Sequence, residues 1–222
     1  NRRLYYGKVW LKMREYFDNQ LQNLQKDIIV MGTLCEEIIL ISLKGLDNPN
    51  KMKADLVWKS YQKIEELEHD IESRCIKLIL RQQPVAKDLR VVSSVLKMVY
   101  DIKRIGVQAS EIAELISNES IKLIEDISQI KEMAEYVIEM VSKGLDAFVT
   151  EDIDLANLVI EKDDIVDDYF KIIKEKLGHY FVKDKNMADQ VIDLLMIAKY
   201  LEKIGDHTVN VAKWVIYSIR GE

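Results

Sequence analysis

Proline occurs only twice and glycine eight times in this chain of 222 residues, too few to supply the frequent turns of a β-rich fold. Cysteine is equally scarce. Cys35 and Cys75 sit inside helical patterns and read as small core residues of a reducing compartment, not as a disulfide framework. Long apolar runs are missing too: Ile38–Leu43 and Leu194–Ala198 are among the longest, far short of the roughly 20 residues that a membrane span needs. Tyr, Gly, Lys and Trp interrupt any apolar stretch near the N-terminus, so no signal peptide is read there. Positive charge is not in excess. A net charge of −6 argues against a nucleic-acid backbone as partner. The chain also lacks a Gly-rich phosphate loop, a nucleophile elbow and an HExxH zinc motif.

What the chain has in quantity is charge, at 32%, beside 48% hydrophobic residues, the composition of long amphipathic helices. It is also duplicated. Lys44-Gly45-Leu46-Asp47 recurs as Lys143-Gly144-Leu145-Asp146, an offset of 99 residues. At that offset Ile102-Lys103-Arg104-Ile105-Gly106-Val107 lies over Leu201-Glu202-Lys203-Ile204-Gly205-Asp206. Between these anchors Ala54-Asp55-Leu56-Val57 matches Ala156-Asn157-Leu158-Val159 at an offset of 102, so loops absorb the difference.

Apolar residues recur at three- and four-residue intervals, as in Leu21, Leu24, Ile28, Met31 and Cys35. The pattern breaks at Asn48-Pro49-Asn50, Gln82-Gln83-Pro84, Asn118, Thr150-Glu151 and Asp184-Lys185-Asn186. Helices are therefore expected near 15–47, 52–81, 86–117, 120–149, 153–182 and 186–220. Short loops force antiparallel neighbours. The predicted fold is all-α, two tandem, sequence-related three-helix bundles, with repeat units over 13–118 and 119–222. Residues 1–12 read as an extension ahead of the first amphipathic pattern. Gly106 and Gly205 sit mid-helix at equivalent positions. An interior glycine costs about 1 kcal/mol relative to alanine, so another backbone is expected to approach closely there.

Carboxylates at i and i+4 share a helix face. Seven acidic pairs have this spacing, at 66/70, 68/72, 135/139, 163/167, 164/168, 189/193 and 202/206. With 38 acidic residues, chance alone supplies about as many, and any one of them can be a solvated face. Two pairs differ from the rest. Asp163/Asp167 and Glu202/Asp206 lie on antiparallel neighbours, 19 residues before the intervening loop and about 17 after it, so they meet at one height. Four facing carboxylates repel, and a hard cation with oxygen ligands relieves that. Asn210, one turn beyond Asp206, is a candidate fifth ligand. An exposed acidic face is the competing reading.

At the equivalent positions of the first copy stand Tyr61, Glu65, Lys103 and Val107. Three potential ligands are gone, and Lys103 is expected to pair with Glu65. Glu66-x-x-His69 is half of a di-iron bundle motif and occurs once where two are needed. His207 points about 100° away from Asp206 and reads as an outer or surface group. His179, near a helix end, suits the helix dipole. The basic group at 87, 90, 103 and 104 reads as solvated surface.

Arg81-Gln82-Gln83-Pro84-Val85-Ala86-Lys87-Asp88-Leu89-Arg90 resembles the inter-helix connection of PhoU proteins, accessory regulators of bacterial phosphate uptake. Leu201-Glu202-Lys203-Ile204-Gly205-Asp206-His207, with Asn210 and Ala212, is similar to that family's second-repeat signature. Tyr16-Phe17-Asp18-x-x-Leu21 and Met31-Gly32-x-Leu34 resemble its opening, and the likeness covers about residues 13–220. The resemblance implies metal clusters held by paired E(D)xxxD motifs, here on Asp163, Asp167, Glu202 and Asp206. Iron or zinc are the occupants it suggests, with magnesium or manganese as alternatives. The first copy departs from the pattern at Tyr61, Lys103 and Val107. By the same resemblance the chain is a cytoplasmic, non-catalytic, homodimeric adaptor between the ATP-binding subunit of a phosphate transporter and a sensor histidine kinase. A carboxylate-bridged metalloenzyme and a metal-free helical scaffold are the alternative readings.

Overall fold

The computed structural model describes residues 2–48, 53–82, 84–117, 121 and 128–221. Its elements, in order, are α1 (Arg2–Asp47), α2 (Ala54–Gln82), α3 (Ala86–Ser117), α4 (Ser128–Thr150), α5 (Ile153–Lys183), a single 3₁₀ turn (Lys185–Met187) and α6 (Ala188–Arg220). No strand occurs among the described residues. The expected helix set is present, with one clear difference at the start. Helix α1 begins at Arg2, so the segment read as an extension continues the helix. The expected starts at 52 and 120 lie outside the described residues, as does the unit boundary at 118/119.

The joints follow from local chemistry. Between α4 and α5 the chain reverses in two residues. Glu151 takes a left-handed φ of 51°, and the Asp152 carboxylate caps α5 by accepting from the Leu155 amide at 3.0 Å. Asp184 ends α5 and accepts from the Asn186 amide at 2.9 Å, which starts the turn into α6. Gly221 closes α6 in the left-handed region at φ 82°, its N–H returning to the Tyr217 carbonyl at 2.8 Å.

Helices α1, α2 and α3 pack pairwise into one bundle, and α4, α5 and α6 into a second. The bundles join through α3 against α6 and α1 against α4, while α2 and α5 each touch only their own bundle. One continuous apolar core results, with Leu24, Ile28, Met98 and Ile105 from the first repeat and Val137, Val166, Leu201 and Ile204 from the second fully enclosed. Cys35 and Cys75 are free and buried within it. The Cys35 thiol donates to the Ile102 carbonyl at 3.4 Å, and burial pushes both thiols well above their ordinary range.

Gly32 on α1 faces Leu145 on α4. A β-carbon built on Gly32 would stand 2.2 Å from Leu145 Cδ1, so this crossing between bundles requires a glycine. Gly178 on α5 has nothing within 4 Å of the same point. The two positions should therefore respond with opposite sign. Gly32→Val is expected to lower stability by about 1–3 kcal/mol through overpacking. Gly178→Ala should raise it by up to about 1 kcal/mol through helix propensity. Urea unfolding midpoints of the two variants check both.

Candidate metal centre on the second repeat

Asp163 on α5 lies against Gly205 on α6 and feels the charges of Asp206 and Glu202, and Asp167 adds its charge from the next turn of α5. Asp163 is tucked closest to the partner helix. Its Oδ1 lies 3.0 Å from the point where a β-carbon on Gly205 would stand, with Val166 Cγ1 and Met140 Cε beyond. Gly205 therefore clears space for a carboxylate. Its counterpart Gly106 clears space for Ile64, whose Cδ1 lies 2.9 Å from the equivalent point. In neither case is the neighbour a second backbone, as the sequence suggested. A side chain from the bundle's own outer helix fills the gap.

Burial, followed by the charges of Asp206, Asp167, Asp164 and Glu202, pushes the Asp163 carboxyl up to about 6. That field is partly balanced by lysines. Lys199 Nζ lies 2.6 Å from Glu202 Oε2, and Lys203 Nζ lies 2.5 Å from Asp206 Oδ2 and 3.4 Å from Glu202 Oε2. Lys199 also sits 5.1 Å from the centroid of the Phe170 ring. Among the described residues no three His, Cys, Asp or Glu side chains are placed together so that they could hold a metal ion. The donors fit a hard cation in kind, being all oxygen and backed by a carboxylate that is costly to ionise alone.

Asn210 does not join this group. Its Nδ2 donates to Asp101 Oδ1 on α3 at 3.2 Å, and the same oxygen lies 2.9 Å from His207 Nδ1. Four residues advance a helix by about 400°, which turns Asn210 from the α5 side of α6 toward α3. There the buried Asp101 supplies an acceptor. This interhelical cluster was not read from the sequence, since Asp101 shares no motif with His207 and Asn210 and lies more than a hundred residues from both. A signal existed in the duplication. Asp101 corresponds to Tyr200 and Asn210 to Glu111, and Tyr200 bonds Glu111 at the mirrored place. The seam thus carries two copies of one contact, each with its own chemistry.

The first repeat holds no such carboxylate set. Tyr61 Oη donates to Glu65 at 3.0 Å, and Lys103 Nζ reaches past it to Glu68 at 2.6 Å. An ion pair replaces the cluster there, but its acid is Glu68 and not Glu65. Glu65 is already taken by the tyrosine, and the long lysine stem spans the extra turn. Glu66 pairs with Lys63 at 2.9 Å on an exposed face and His69 is exposed, so that half-motif builds no site. His179 is exposed as well.

Fold and site together define a duplicated helical-bundle protein with one acid-lined repeat and one degenerate repeat. The PhoU domain family matches residues 28–116 and again residues 130–215. The chain belongs to the PhoU family. It is 34% identical over 211 residues to a phosphate-specific transport system accessory protein PhoU homolog from Clostridium acetobutylicum, spanning 94% of this chain and 96% of that protein. A homolog so named from Aquifex aeolicus is 35% identical over 206 residues, with 91% and 92% covered. Among solved structures, PhoU from Pseudomonas aeruginosa superposes with a TM-score of 0.87 at 30% identity, covering 93% of this chain and all of that one, 100%.

Because burial and neighbouring charges raise the Asp163 carboxyl from 3.8 to about 6 in the fold, stability is lost as pH climbs between these two values and the loss is complete above about 6. Asp163→Asn should therefore stabilise the chelator-treated protein at pH 7.5, on the order of 1 kcal/mol once solvent screening of a half-exposed group is allowed for. At pH 5 the gain should fall to about half, because the unfolded chain's carboxyl is already ionised there while the folded one is still largely protonated. Thermal melts in EDTA at the two pH values check this.

Proposed function

We propose that this chain is a cytoplasmic regulator of phosphate uptake and phosphate-starvation signalling, acting without catalysis as a metal-dependent adaptor. The observation that carries the reading is the family match in both repeats together with near-complete coverage of relatives named as accessory proteins of phosphate-specific transport. The partners proposed are the transporter's ATP-binding subunit and a sensor histidine kinase, with the protein acting as a homodimer. No described helix is long and apolar enough to cross a membrane.

The architecture supports an adaptor. Helices α2 and α5 lie on the outside of their bundles, each touching only its own repeat, which leaves two long faces for two partners. Several large apolar side chains are exposed on these helices, among them Trp58, Ile76 and Leu80 on α2 and Ile165, Ile172 and Phe181 on α5.

Asp163, Asp167, Glu202 and Asp206 would hold the ion, iron or zinc by family likeness, magnesium or manganese by ligand type. The ion's contribution is charge neutralisation between α5 and α6. With its carboxylates balanced, the α5 face keeps a fixed position on α6, which a binding surface needs.

Elemental analysis of protein purified without a metal-affinity column tests the centre, with wild type beside Glu202→Ala/Asp206→Ala. The expected result is near-stoichiometric metal in wild type, a loss of at least about tenfold in the variant, and weaker retention of the ATP-binding subunit. Absence of metal from both proteins after incubation with iron, zinc, manganese and magnesium would remove the ion from the reading. Partner retention unchanged by the variant would remove its role in docking.

A further inference from the structure

Helices α3 and α6 run antiparallel along a seam with pseudo-twofold symmetry. Its two ends have diverged. At one end a cleft of about 440 Å³ is lined by Lys97 and Tyr100 from α3 and by Asn210, Lys213, Trp214 and Tyr217 from α6. The volume lies in the range of small-molecule sites, roughly 300–1,000 Å³. Asp101 also reaches this cleft, but its Oδ1 is taken up by His207 and Asn210. Lys97 and Lys213 are exposed and make no ion pair or hydrogen bond among the described residues. Two ammoniums thus face one opening from opposite helices of a chain whose net charge is −6.

Between them is flat apolar surface. Tyr100 is 55% exposed, and Trp214 and Tyr217 form an edge-on pair with centroids 5.8 Å apart. The edge-on contact holds the two rings in a fixed relation.

Duplication supplies a control. At the other end of the seam the positions of Lys97, Tyr100, Asn210, Lys213 and Trp214 are occupied by Met196, Lys199, Glu111, Glu114 and Leu115, with Lys199 paired to Glu202. Both lysines are gone, the amide is an acid and the indole is an aliphatic chain. The same backbone frame therefore carries a basic, aromatic cleft at one end and an acidic surface at the other. Packing demands are shared by the two ends, so they do not account for the difference.

The geometry points to a nucleotide site in the cleft between Lys97 and Lys213. Phosphate sits between the two ammoniums, which serve as point-charge donors. The base lies on the Tyr100, Trp214 and Tyr217 surface, where stacking accepts any base. The Asn210 side-chain carbonyl is left to accept from a base or ribose, since its amide is committed to Asp101. The site is separate from the α5–α6 carboxylates and does not rest on the proposed regulatory role.

Isothermal titration calorimetry with ATP, AMP, adenosine and inorganic phosphate tests it, in EDTA so that ions held on α5 and α6 recruit no phosphate. Trp214 fluorescence is followed in parallel. ATP and AMP are expected to bind and to quench a signal that Trp214→Phe removes, while adenosine and phosphate bind at least about tenfold more weakly. Lys97→Glu/Lys213→Glu changes two exposed residues, so its melting point should stay near wild type while nucleotide affinity falls at least about tenfold. No saturable heat or quench at millimolar nucleotide overturns the site. So does affinity that survives the charge reversal, or phosphate alone binding as tightly as AMP.

Discussion

Asp101 and its partners lock the two repeats together. A carboxylate almost withdrawn from water is tolerated only where hydrogen-bond donors replace the lost solvent. Here both donors, His207 and Asn210, come from the other repeat. The contact fixes the axial register of α3 against α6 in a way that apolar packing alone does not, because ridges and grooves repeat at every turn. Once α3 and α6 are in register, α1 is brought against α4, where the Gly32–Leu145 contact admits one arrangement. The outer helices α2 and α5 are then carried on opposite bundles with no contact between them. A protein meant to hold two surfaces in fixed relation needs such a register lock more than it needs additional buried area.

Duplication followed by divergence explains where the chemistry sits. The two glycines at the middle of α3 and α6 began as one position, and each still admits a side chain from the outer helix of its own bundle. In the first repeat that side chain is Ile64, and the result is core. In the second it is Asp163, and the result is a carboxylate against α6 facing other carboxylates. Asp163 answers to Tyr61, while the counterpart of Ile64 is Val166, which still lies beside Gly205, so the second repeat has added a carboxylate at the gap and kept the apolar neighbour. The neighbours followed suit: Lys103 turned the first repeat's pair toward Glu68, while Lys199 and Lys203 flank the acids of the second. Those lysines offset part of the acids' mutual repulsion.

The architecture was legible because long helices leave a strong periodic signal and few residues break it. The antiparallel packing of α5 and α6 was legible as well, since a short loop constrains the height at which residues meet; counting from Val182 and Lys185 brings Asp163 level with Glu202 and Asp206, whose charges it feels. Counting failed where the angle around the helix decides. Asn210 shares a height relation with Asp206 but has rotated toward α3, and only the presence of α3 on that side makes this visible. Lys103 failed for a different reason: a flexible four-carbon stem reaches more than one acid, and Tyr61 had already engaged the nearer one. Contacts between repeats were invisible to a reading that treated each bundle by itself.

Helix α6 is where these features meet. Over the span from Lys199 to Tyr217 it contributes Glu202 and Asp206 to the side facing α5, and His207, Asn210, Trp214 and Tyr217 to the side facing α3. Asp206 and His207 are adjacent in sequence and differ by about 100° around the axis, so one turn of helix connects the acid cluster to the register lock. Any shift of α6 toward or away from α5 is felt at Asp101. Cores packed at native density transmit such shifts as displacements of whole elements and do not absorb them locally. Charge balance among the α5–α6 carboxylates and the relative placement of the two bundles are therefore mechanically one variable. The helix that carries both sides of that variable is also the one that bridges the repeats.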